Sequence, residues 1–313
     1  MAAGSKFLLL QLPHREVLRT IQVMDIYQKM SFSLISKRCK KLVQSLQIKV
    51  QAMSVNISAH IRISVLFSEW TLKIYFKHTH KEQMMRIRAP QLVEADDIRL
   101  ERVDFEYSDW LKHFQDIFHC PPIENIGFLW RSSEYDLDYI KEVVGAIKRL
   151  HASDTGCNEY NLMLLQKFFP IENLNINTDM FKDSKIPLYI LQQNYTTLDI
   201  NCDDDETEEM TLDELLVINS KSITIKNVRV SPQDLNKYIK LWIKGSNSRM
   251  EYFLVLTLIQ YDRAVVMKGV KHSKERSDEW DVSRVSMDIC RTTDGTRAIV
   301  SFSDSWIEVD VCL

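Results

Sequence analysis

The chain opens with a helical spacing of apolar residues and changes to strand-like alternation near residue 48. Leu12-Pro13 introduces the first helix, since proline suits the first turn, where its missing N–H costs nothing. Val17, Leu18 and Ile21 then share one helical face. Ile26, Met30 and Leu34 recur at fourfold spacing, and Ser36 is placed to cap a short third helix carrying Leu42, Val43 and Leu46. Three helices in residues 1–47 bury little surface of their own, so the spacing predicts a docking element whose leftover apolar surface a partner covers. From residue 48 the period falls to two. Val55, Ile57, Ala59, Ile61, Ile63 and Val65 alternate with polar residues, and Trp70–Phe76 is aromatic and β-branched. The connections are too short for crossovers, so residues 48–77 are expected to form two or three antiparallel strands. Residues 78–106 are charged and irregular and are expected to be loop or sheet edge. Ser108 is then expected to cap a helix with Trp110, Leu111, Phe114, Ile117 and Phe118 on one face, stopped by Pro121-Pro122.

Beyond residue 123 the chain becomes periodic. Ile123-Glu124-Asn125-Ile126 recurs almost unchanged as Ile171-Glu172-Asn173-Leu174. Strand-like segments centred on Ile126, Leu174, Leu198, Ile223 and Phe253 are spaced 48, 24, 25 and 30 residues apart. The first spacing is double the second, which predicts a further strand at Leu150, after a helix that ends near Gly145. Helical patterns lie between the strands. Thr211 and Glu214 form a capping box. Ser231-Pro232 starts a helix that runs through Leu235, Tyr238, Ile239 and Trp242 to Gly245. One strand and one helix every 24 or so residues is the leucine-rich-repeat length class. The asparagine ladder of true leucine-rich repeats is absent or degenerate, so the expectation is a leucine-rich-repeat-like β/α solenoid over about 123–258, with a parallel sheet on one face and helices on the other. Asp294-Gly295 favours a tight turn, giving a terminal β-hairpin at about 285–311.

Composition adds mainly exclusions. The 313 residues are 45% hydrophobic and 27% charged, which suits a globular protein with a sizeable core. A formal net charge of -3 gives no electrostatic case for nucleic acid or an anionic membrane. Only 7 glycines occur, with no GxGxxG or GxxxxGK[ST], so the commonest nucleotide signatures are missing. The six cysteines are scattered without a CxxC pair and read as reduced thiols of a cytoplasmic or nuclear protein. Phe7–Leu10 is too short for a signal peptide, and no apolar run is long enough to span a membrane. His78 and His80 share a strand face but lack further ligands at metal spacing. His113, His119 and Cys120 suggest a nucleophile pair, yet no third group is placed to orient it. The basic run Lys37-Arg38-Cys39-Lys40-Lys41 reads as a solvated helix face, and the acidic run Asp203–Glu206, continued by Glu208-Glu209, as a solvated connection. No catalytic constellation, cofactor or metal is expected.

Two stretches carry a family resemblance. Phe7–Pro13, Val17–Ile21 and Ser31–Arg38 resemble an F-box of the nematode-expanded type. Leu212–Asn219, Asp234–Gly245 and Asp288–Ala298 resemble the nematode type-2 F-box-associated domain, with Tyr238 where an aromatic is usual. The resemblance implies a mixed α/β (α+β) chain: a three-helix F-box at 1–47, followed by the F-box-associated β/α repeat domain at 48–313. It implies a substrate-receptor subunit of a cullin-type ubiquitin ligase. Leu12, Pro13, Val17, Leu18, Ile21 and Leu34 would face a Skp-type adaptor or support that face, and the repeat domain would bind an unidentified target protein. Tyr238 and Trp242 are expected to pack their helix on the sheet, and Asn219 to bond backbone where a helix ends. The alternative is a protein-interaction scaffold in which the three helices only cap the solenoid.

Overall fold

A computed structural model of the chain describes residues 9–77, 89–90, 92–96, 98–102, 104–202, 209–256, 260–273, 275–277 and 284–312. Phe7 and Leu8, His78 and His80, and the acidic run at 203–208 lie outside these residues. The chain divides into two compact units, Met1–Gly127 with Glu134–Ala146, and Phe128–Ser133 with Ile147–Leu313. Both units mix helices and strands.

The first unit begins with α1 (His14–Val23), α2 (Ile26–Ile35) and α3 (Lys37–Gln44). Pro13 stands immediately before α1. A capping box between Asp25 and Gln28 opens α2, and the Ser36 hydroxyl accepts from the Cys39 N–H to open α3. Each device satisfies amide donors that the first turn of a helix leaves unpaired. Strands β1 (Ala52–Ile57), β2 (Ile61–Leu66) and β3 (Thr71–Lys77) follow as an antiparallel meander, with Val55 opposite Ile63 and Ile63 opposite Ile74. The stretch expected to be loop or edge contains two more antiparallel strands, β4 (Leu92–Ala95) and β5 (Ile98–Leu100). Their brevity and charged flanks hid them from a periodicity reading.

Helix α4 (Tyr107–Phe118) covers the apolar face of this meander. Trp110 and Phe118 meet Phe76 and Phe67 edge-on at 6.3 and 6.0 Å between ring centroids. Ser108 does not cap α4. The cap is Glu106, whose N–H donates to Asp109 Oδ2 at 3.0 Å, so Ser108 sits inside the first turn. The helix ends on His119 in the left-handed region, φ 49°, before the two prolines. Strand β6 (Asn125–Phe128) and helix α5 (Leu137–Val144), closed by Gly145 at φ 77°, follow in sequence.

The second unit is built on five parallel strands: β7 (Arg149–Ala152), β8 (Asn173–Asn177), β9 (Thr197–Asn201), β11 (Ser222–Lys226) and β13 (Tyr252–Leu256). Leu150, Leu174, Leu198, Ile223 and Phe253 stand side by side in register and are at most 1% exposed. The strand expected at Leu150 is β7. Helices α6 (Asn158–Phe168), α7 (Leu188–Leu191), α8 (Leu212–Val217) and α9 (Pro232–Ile243) make the crossovers, as parallel neighbours require. Thr211 with Glu214 caps α8, and Ser231 with Pro232 opens α9. The short strands β10 (Glu209–Met210) and β12 (Arg229–Val230) pair parallel in a sheet of their own.

The expected solenoid does not form. A solenoid repeats one unit along an axis, whereas the chain reverses after β13. Past α10 (Arg263–Val266), the strands β14 (Arg276–Ser277), β15 (Val285–Cys290), β16 (Arg297–Phe302) and β17 (Trp306–Cys312) form an antiparallel meander. β17 lies antiparallel along β13, with Val309 opposite Phe253. The expected terminal hairpin is therefore part of a longer meander. Asp294-Gly295 supplies the turn between β15 and β16, with Gly295 at φ 76°. The sequence period reported β–α spacing correctly, but spacing alone carries no information on where the chain turns back.

The in-register apolar row makes a direct prediction. Leu198→Ala, at a fully buried position in the middle of the row, is expected to lower unfolding stability by about 2–5 kcal/mol. Thr197→Ala on the same strand is expected to cost less than about 1 kcal/mol. Urea denaturation of both variants measures the difference.

Candidate interaction surfaces

The six residues singled out at the N-terminus separate into two groups. Val17 and Ile21 are 1% and 0% exposed, and Leu34 is 8% exposed. They are buried within the first unit, so they support a face rather than provide one. Pro13 is exposed, and Leu12 and Leu18 are half-buried. Two residues not singled out from sequence are the most exposed apolar side chains of the module: Val23 at 85% and Ile35 at 69%. The signal for Ile35 was its neighbour. Adjacent helical positions point about 100° apart, so once Leu34 enters the core Ile35 is directed outward. Apolar side chains therefore remain open to solvent after the module closes on itself.

Helix α4 completes this module from within the first unit. The Lys40 ammonium pairs with Asp116 at 2.7 Å. The Arg102 guanidinium donates to the Leu34 carbonyl at 3.0 Å, and His119 Nε2 lies 2.6 Å from the Gln44 carbonyl. The buried His113 ring lies 2.8 Å from Ser33 Oγ, and that hydroxyl donates to the Met30 carbonyl at 2.6 Å. A hydroxyl has one proton, so His113 Nε2 is the donor to Ser33. Burial first, and the Lys40 ammonium second, push the His113 pKa from 6.5 down to about 4. Neither histidine bonds to Cys120. Burial raises that thiol to about 11, which keeps it protonated and unlike an activated nucleophile. The basic run behaves as a solvated helix face: Lys37, Arg38 and Lys41 are exposed, and among the described residues only Lys40 of the run is engaged in an ion pair.

The second unit offers a different kind of surface. On the polar face of the parallel strands, His151 Nδ1 lies 2.9 Å from Asn175 Oδ1, and Asn201 Nδ2 donates to the same oxygen at 3.0 Å. This is a short polar ladder across β7, β8 and β9. Farther along the face, half-buried Tyr252, Leu254 and Trp306 lie beside Glu308, which Arg284 pairs at 3.2 Å. Burial first and the Glu308 carboxylate second raise the Tyr252 phenol to about 12.

The motif residues of α8 and α9 are structural. Tyr238 and Trp242 are each 1% exposed, and Tyr238 packs on Phe253 at 4.9 Å. Arg291 stacks on Trp242 at 4.4 Å and pairs with Asp294 at 3.1 Å, tying the β15–β16 turn to the end of α9. Gly245 has φ 102°, and a Cβ there would meet Thr293 at 3.0 Å, so glycine is required on both counts. Asn219 does not bond backbone at the end of α8. Its amide donates to Asn194 Oδ1 at 2.5 Å, and Asn247 supplies the expected contact, donating to the Ile218 carbonyl at 2.7 Å.

Among the described residues no group of His, Cys, Asp or Glu is arranged to hold a metal ion, and no helix is long and apolar enough to cross a membrane.

The second unit, whose α8–α9 motif packs as a structural core, is similar to F-box associated domain proteins. Residues 186–255, from the approach to α7 through most of β13, match the family model described as F-box associated. The chain is 21% identical over 302 residues to the F-box associated domain-containing protein sdz-33 of Caenorhabditis elegans, covering 94% of this chain and 93% of that protein. No solved structure matches it.

The buried histidine gives a pH prediction. Below pH 6.5 the unfolded chain binds a proton at His113 that the folded chain refuses until about pH 4. Stability therefore falls as pH drops through that window. His113→Gln keeps a donor for Ser33 and removes the titration. The pH 6.5-to-4 loss in urea-unfolding stability is expected to be smaller in the variant, by at most about 3 kcal/mol.

Proposed function

We propose that the protein is a substrate-receptor subunit of a cullin-type ubiquitin ligase. In this reading α1–α3 dock a Skp-type adaptor, and the F-box associated domain holds a target protein. It acts by binding rather than by catalysis, raising the concentration of target near a ubiquitin-charged enzyme, in the cytoplasm or nucleus. The observation that carries this reading is the exposure of Val23 and Ile35, 85% and 69% open to solvent at the ends of α1 and α2, on a module whose own core is already closed. The family match in the second unit and the resemblance of residues 7–38 to an F-box support the same assignment.

A second reading has its own observation. Val17, Ile21 and Leu34 are sealed, and four polar contacts join the module to Arg102 and α4, so α1–α3 can serve as a helical cap of the first unit in a scaffold that never meets a ligase. Co-purification separates the two. Full-length protein is expected to retain the Skp-type adaptor, and Ile35→Asp and the double variant Leu12→Ala/Pro13→Ala are each expected to retain about tenfold less. Retention unchanged in both would remove these residues as the docking site. Hydrogen exchange on the free protein supplies the complementary measurement. Protection of residues 9–46 equal to that of β8 and β9 without adaptor favours the cap, and a gain in protection on adding adaptor favours the receptor.

A further inference from the structure

A cavity of about 480 Å³ lies in the second unit between α10 and the β15–β16 meander. That volume is in the range of small-ligand sites, roughly 300–1,000 Å³. Its apolar wall is made by Met267, Met287 and Phe302, all at most 6% exposed, with half-buried Val285 beside them. Methionine is unbranched and polarizable, so such a wall adapts to long flexible side chains.

The rim is acidic after internal pairing is removed. Arg263 is matched by Glu275 at 3.4 Å. Asp262 and Asp304 remain. Asp262 commits Oδ1 to the Ala264 N–H at 2.9 Å, and Asp304 commits Oδ1 to the Gln260 amide at 3.1 Å. The second oxygen of each accepts no hydrogen bond among the described residues. His272 adds a third acceptor. Its Nδ1 lies 2.7 Å from the Ser273 carbonyl and so must donate, which in the neutral ring leaves Nε2 as an acceptor. An anion would meet two unmatched carboxylates here, and a purely apolar ligand would leave all three acceptors unused.

We propose that this cavity is a subsite for a lysine or arginine side chain of a target peptide. The aliphatic stem lies along the methionine and phenylalanine wall, and the charged head reaches Asp262, Asp304 and His272. Long cationic side chains divide in this way between apolar surface and polar rim. The inference rests on the receptor reading, because it names the chemistry of what the second unit holds.

The test uses the full chain with its methionine methyl groups labelled, and oligoalanine peptides carrying one central arginine, norleucine or glutamate. The arginine peptide is expected to shift the Met267 and Met287 methyl resonances. The norleucine peptide is expected to bind about tenfold more weakly, and the glutamate peptide not at all. Asp304→Lys, on an exposed turn, and Ala264→Trp, which fills the cavity from an exposed lining position, are each expected to weaken the arginine peptide about tenfold. Equal binding of norleucine and arginine peptides overturns the role of the cation. Undiminished binding in Asp304→Lys overturns the site even if Ala264→Trp is poorly folded, and the absence of any methyl shift at millimolar arginine peptide overturns it outright. Retention of the adaptor is read separately and is expected to be unchanged in both variants, so failure of this subsite and failure of the ligase assignment give different results.

Discussion

The second unit depends on one constraint: five strands must enter the sheet in the same register so that Leu150, Leu174, Leu198, Ile223 and Phe253 form a single buried row. The entry is fixed by a recurring backbone bond. The Asn173 N–H donates to the Lys148 carbonyl at 2.9 Å, the Thr196 N–H to the Glu172 carbonyl at 2.7 Å, the Ser222 N–H to the Thr196 carbonyl at 2.9 Å, and the Glu251 N–H to the Lys221 carbonyl at 2.8 Å. A slip of one residue would turn every apolar residue of a strand to the polar face. With that row in place, the helices above it find a continuous apolar floor, and the opposite face can carry His151, Asn175, Asp199 and Asn201 at no cost to the core.

The antiparallel meander solves the problem that the parallel strands create. A parallel sheet edge left open at β13 would present unpaired amides and carbonyls to any extended chain. β17 closes it with five paired residues from Tyr252–Asp310 to Leu256–Trp306, and Arg291, Asp294 and Thr292 anchor the next turn to the end of α9. The family motif around Tyr238, Trp242 and Gly245 belongs to this anchoring rather than to recognition, because each of these residues is consumed by packing. The polar strand face and the cavity beside α10 lie elsewhere.

The first unit shows a related division of labour. Its N-terminal helices are short, and α4 supplies the surface they lack through one buried hydrogen bond and three polar contacts at its margins. The apolar residues that sequence periodicity identifies most readily, Val17, Ile21 and Leu34, are the ones the module keeps for itself. Those left exposed are the off-phase ones, Val23 and Ile35, which a search for regular spacing passes over.

The sequence by itself determined the local structure wherever the cause is local. Capping chemistry at Ser36, Thr211 and Ser231, the breaks at Gly145 and Gly245, the period-two strands of residues 52–77 and the 24-residue spacing all depend on near neighbours in the chain. It located Leu150 in a strand before any fold was known. Only the tertiary structure decided the rest, because the rest depends on residues far apart. Whether the β/α repeats continue as a solenoid or end against a meander depends on which strand takes the edge beside β13. Whether Asn219 or Asn247 serves the end of α8 depends on a contact across 29 residues. Burial and partnership are properties of the packed chain, and spacing along the chain does not encode them.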